Sequence, residues 1–93
     1  MRERLLEEIP RDRLMNADAN ETATACMGVI DALQSRRREI QVTGLATAFA
    51  MACERFGIKP GEALAVADNI MHSGITKLPE FRACEMYMRN EWK

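Results

Sequence analysis

Apolar residues recur at helical spacing in five segments of this chain, separated by proline, glycine or runs of charge. The first segment, RERLLEEI over residues 2–9, puts Leu5, Leu6 and Ile9 on one side of a short helix and charges on the other; Pro10 then interrupts it. The second predicts the strongest helix, over about residues 19–38. Asp18 followed by Glu21 makes the capping pair of a helix start, and Ala23, Met27, Ile30 and Leu33, joined by Cys26 and Val29, make its apolar stripe. Arg36, Arg37 and Arg38 fall at the expected C-terminal end, where cations complement the helix dipole.

The stretch EIQV reads as a linker, with Thr43 capping a third helix over about 44–56. Small residues at Gly44, Ala48 and Ala52, and again at Ala46 and Ala50, would let neighbouring backbones approach closely, while Leu45, Phe49 and Phe56 supply bulk. This pattern predicts a central helix touched on several sides. Gly57 suits a left-handed C′ position with Ile58 folding back toward Cys53, and Pro60 suits the first position of a fourth helix over 60–72. In that helix Leu64, Ala67 and Met71 form one stripe and Ala63, Val66 and Ile70 lie alongside. Gly74 is expected to end it. Pro79 opens a fifth helix over 79–91, with Phe81, Cys84 and Met88 in a stripe, Glu85 one turn from Arg89, and Tyr87 and Trp92 near a C-terminus that should dock.

Composition agrees with helices. Of the 93 residues, 47% are hydrophobic but only 5% aromatic, and Ala and Met supply much of the apolar share. Ala and Met lose little in a helix, whereas strands favour β-branched and aromatic residues. The expectation is an all-α fold, a compact bundle of four to five short helices in a single domain. The longest uncharged run, Ile40 to Cys53, is too short for a membrane span. No apolar stretch follows the basic start, and Cys26, Cys53 and Cys84 are odd in number and far apart. A soluble protein with free thiols in the reducing cytoplasm is expected.

The stretch CERFGIKPGEALAVADNIM, Cys53 to Met71, has the outline of a helix-turn-helix. Cys53, Gly57, Ile58, Ala63 and Val66 fill the places such a motif needs. The second helix, however, turns Gly61, Glu62, Ala65, Asp68 and Asn69 outward, and of these only Asn69 suits a base edge. A net charge of −1 is also a poor match for a surface that must displace counterions from DNA. A DNA-binding regulator using the 44–72 helix pair, with Arg36, Arg37, Arg38, Arg55, Lys59 and Asn69 on the nucleic acid, is therefore the second choice. A plain helical hairpin is the first.

Catalytic chemistry has little to stand on. The cysteines and His72 could nominally make a zinc set, but no close C-x-x-C-type pair exists, and each thiol lies on or beside an apolar stripe. No glycine-rich phosphate loop, paired-carboxylate motif or nucleophile elbow is present. No enzyme activity, metal or cofactor is expected. Met86 and Met88 flank Tyr87, and residues one apart cannot all face one core. Met86, Tyr87, Met88, Arg89 and Trp92 belong to the types enriched at interfaces and form the expected partner-binding patch, with Leu5, Leu6 and Ile9 as a candidate addition. The resulting expectation is a small interaction or regulatory module (adaptor, regulatory subunit or stoichiometric inhibitor) that pairs with itself as a homodimer and with another protein.

Overall fold

The computed structural model describes residues 9, 11–72 and 78–92. Apart from Ile9, the expected helix over 2–9 lies outside these residues, as does Gly74. The described residues form five helices and no strand: α1 (Arg11–Met15), α2 (Ala19–Leu33), α3 (Arg38–Phe56), α4 (Pro60–His72) and α5 (Pro79–Glu91). The protein is an all-α bundle.

Local chemistry sets several of the boundaries. The Asp18 carboxylate accepts the Glu21 N–H at 2.9 Å, which satisfies one of the free donors at the start of α2. Gly57 ends α3 at φ 65° and ψ 33°, a left-handed conformation that glycine adopts without a Cβ clash. The Ile58 N–H then returns to the Cys53 carbonyl at 2.9 Å. Pro60 and Pro79 stand first in α4 and α5, where a missing N–H leaves no intrahelical bond unmade.

The junction of α2 and α3 corrects the expected order. Helix α2 stops at Leu33 and not near residue 38, and α3 begins at Arg38, six residues before the expected start at Gly44. Thr43 lies inside α3, where its carbonyl accepts the Thr47 hydroxyl at 2.8 Å, and EIQV is helix. The physical cause is a tertiary bond. Gln41 is buried, and its amide Nε2 donates to the Leu33 carbonyl at 2.9 Å, capping the end of α2 from the first turns of α3. Arg36 and Arg37 thus lie in the turn that follows α2, whereas Arg38 opens α3 at the positive end of its dipole, where the role expected for it fails. Glu39 in that first turn offsets them in part, 3.9 Å from Arg37.

The core is built by α2 against α5. Ala23 and Ile30 meet Phe81 and Cys84, and Met27, Tyr87, Met88 and Trp92 pack around them. Burying Ile30 and Phe81 contributes about 1.5–3 kcal/mol each. Helix α1 packs mainly on α4, which turns Ala63, Val66, Ala67 and Ile70 partly inward and leaves Leu64 and Met71 exposed. Of the stripe expected on Leu64, Ala67 and Met71, only Ala67 turns inward, and the residues expected alongside it, Ala63, Val66 and Ile70, make the inward face. Nor does the α3–α4 hairpin close the core: no described residue of α3 belongs to it, and within α3 only Gln41 and Cys53 are buried. The expectation of a central third helix fails for the single chain. The particle measures 42 × 33 × 20 Å, about two helix diameters thick, so it has no enclosed middle layer.

Gln41→Leu keeps the side-chain volume but removes the donor to Leu33. It should lower unfolding free energy by about 1–2 kcal/mol in urea titrations, the scale for leaving a partly buried carbonyl short of its bond. A neutral substitution would show that the early start of α3 does not depend on that contact.

Candidate interaction surface

The C-terminal patch divides in two. Trp92 lies half-buried just beyond α5, and its indole Nε1–H donates to the Ile30 carbonyl at 3.0 Å, tying the end of α5 to the last turn of α2. The Tyr87 hydroxyl donates to Asp31 Oδ1, with Gln34 Oε1 3.1 Å away. Met88 packs beside them. These three residues serve the chain's own core. Met86, 60% exposed, and Arg89 face outward. Ile9 is half-buried, its N–H donating to the Phe56 carbonyl at 3.2 Å, and Leu5 and Leu6 lie outside the described residues.

Two titrating groups report on the α2–α5 contact. The hydrogen bond from Tyr87 to Asp31, helped by burial and by the carboxylate's charge, pushes the phenol up to about 12. Burial, reinforced by the neighbouring Cys84 thiol, pushes Cys26 up to about 11. The Cys84 thiol itself donates to the Ala23 carbonyl at 3.4 Å. The raised Cys26 thiol is a poor nucleophile, and Cys84 is shielded by burial. His72 pairs with Asp68 one turn earlier on an exposed face, Nδ1 to Oδ1 at 3.0 Å. Among the described residues no group of three or more His, Cys, Asp and Glu side chains could hold a metal ion.

The basic residues proposed for nucleic acid do not converge. Arg36 and Arg37 sit in the α2–α3 turn and Arg38 opens α3, whereas Arg55 is in its last turn and Lys59 just beyond. Seventeen residues of helix separate Arg38 from Arg55, about 25 Å along the axis and about 100° around it. Asn69 lies elsewhere again, at the edge of an apolar cleft of about 530 Å³ between α1, α4 and the starts of α2 and α5, among Leu14, Ala19, Val66 and Phe81.

A different surface emerges on α3. Val42, Leu45, Phe49, Ala52 and Phe56 are spaced three and four residues apart and fall within about 80° of arc, the a/d pattern of a helix made to pair. Val42 is 65% exposed, Leu45 39% and Phe56 36%, and Phe49 is half-buried. The sequence carried this signal in its small-and-large alternation, but the misplaced helix start hid Val42 and with it the full repeat. No helix of the described residues is long and apolar enough to cross a membrane. No family model, curated protein or solved structure matches the chain.

Two outcomes are expected here. The raised phenol of Tyr87 stabilises the fold fully below pH 10, its ordinary value, and that contribution is lost as pH climbs from 10 through about 12. Tyr87→Phe should therefore show a shallower fall in melting temperature over that range than the parent protein. Separately, Cys26 and Cys84 should resist iodoacetamide at pH 8 in native protein and react once urea is added, as mass spectrometry of the labelled peptides would show. Rapid labelling of native Cys26 would contradict its placement.

Proposed function

We propose that this chain is a small non-enzymatic interaction module, in the manner of an adaptor, regulatory subunit or stoichiometric inhibitor, and that it associates with itself. The observation that carries the reading is the apolar stripe of α3, left outside the core by a chain whose own buried set is small. Among the described residues only Ala23, Ile30, Cys53, Phe81 and Cys84 are buried hydrophobics, and no side chain is fully enclosed. Each large side chain of the stripe that leaves water on association contributes up to about 1.5–3 kcal/mol. For a two-layer domain that gain is a large fraction of total stability, so folding and association become linked.

The functional patch moves with this reading. Met86 and Arg89 can serve as a polar-rimmed contact, but Tyr87, Met88 and Trp92 are committed to α2 and act on binding only through stability. The helix-turn-helix alternative loses support, since Arg36–Arg38 and Arg55 with Lys59 stand at opposite ends of one helix.

Sedimentation velocity over a wide concentration range tests the proposal, with melting temperatures taken on the same samples. A reversible shift from monomer to dimer, with melting temperature rising as concentration rises, is expected. Trp92→Ala should lower the melting temperature, by about 2–3 kcal/mol of stability for a half-buried aromatic, without changing dimer affinity measured well below the transition. A monomer of constant melting temperature at every concentration would refute self-association.

A further inference from the structure

We infer that the occupant of the α3 stripe is the α3 of a second copy, lying antiparallel to it about a twofold axis at Phe49. This rests on the self-association proposed above and specifies its surface and direction. The stripe is symmetric about Phe49: Val42 and Phe56 lie seven residues to either side, and Leu45 and Ala52 four before and three after. Laid antiparallel about that residue, the small Val42 meets the large Phe56 of the other copy at both ends, Leu45 meets the Ala52–Cys53 region, and Phe49 meets Phe49. Each copy presents the same patch, as a twofold contact requires. The three–four spacing suits helices crossing at about 20°.

Charge selects the direction. At the N-terminal end of α3, Arg36, Arg37, Arg38 and Glu39 leave an excess of two positive charges, on top of the positive end of the helix dipole. At the other end the formal charges of Glu54, Arg55, Lys59 and Glu62 sum to zero, and the dipole is negative. A parallel pair would stack two arginine triplets at one end. The antiparallel pair avoids that repulsion: it carries each triplet to the negative dipole end of the partner helix, where Glu54, Arg55, Lys59 and Glu62 sum to no net charge. The small residues fit the same picture. Ala52 lies within the stripe and Ala48 beside it, and both are exposed in the single chain. Their size goes unused there, but it would let a second helix approach closely.

The test is a charge swap read by sedimentation velocity, with circular dichroism to confirm helix content. Val42→Glu lies on an exposed position, so it should leave the fold intact while weakening the dimer by about tenfold or more. The double variant V42E/F56K should recover most of that loss, because in the antiparallel pair each introduced glutamate faces the introduced lysine of the other copy. In a parallel pair the double variant would set glutamate against glutamate and lysine against lysine, and association would weaken further. A wild-type dimer indifferent to V42E would place the contact elsewhere, and one weakened by V42E but not restored by V42E/F56K would overturn the antiparallel arrangement. A wild-type chain that is monomeric throughout would instead remove the self-association on which the arrangement rests. Should both variants lose helix content, Leu45→Lys against wild type supplies the surface test, and salt dependence supplies the directional one. A parallel pair strengthens as salt screens the repulsion between arginine triplets, whereas an antiparallel pair, whose triplets face an end of no net charge, shows no such strengthening.

Discussion

The contact between α2 and α5 is the constraint on which the rest of the molecule depends. It joins the two helices across more than fifty residues of sequence by burying Ile30 against Phe81 and Cys84. Polar groups fix its register at three levels: the Cys84 thiol on the Ala23 carbonyl, the Tyr87 hydroxyl on Asp31, and the Trp92 indole on the Ile30 carbonyl. Hydrogen bonds of this kind add modestly to stability, but the buried Cys84 and half-buried Trp92 bonds would leave desolvated groups unsatisfied if the helices slid by one turn. They specify the alignment that the hydrophobic contact alone would permit to drift.

With α2 and α5 engaged with each other, the remaining helices take what surface is left. Helix α4 finds α1 and the edge of the core through Ile70, while α3 is attached at its ends. The Gln41 amide holds its beginning to Leu33, and the Phe56 carbonyl accepts the Ile9 N–H at its finish. The helix is thus fastened at both ends with its apolar stripe outside the core, which is the feature on which the proposed self-association rests. The same view accounts for the loss of Tyr87, Met88 and Trp92 from the expected contact patch. Their aromatic and thioether surfaces suit an interface and a core equally, and α2 reaches them first.

Much of the architecture was legible in the sequence because its signals are local. The Asp18 cap, the left-handed Gly57 and the prolines at 60 and 79 act through steric and hydrogen-bonding rules that reach no farther than one turn. The inward stripe of α5 on Phe81 and Cys84, and the choice of helix over strand, likewise follow from spacing and composition. What the sequence could not determine was every feature decided at a distance. The early start of α3 depends on a bond from Gln41 to a carbonyl eight residues earlier, the inward face of α4 on where α1 lies, and the fate of Trp92 on Ile30. In each case two readings were equally sound locally. Only the tertiary packing, which gives each apolar surface to the neighbour that can bury it, selected between them.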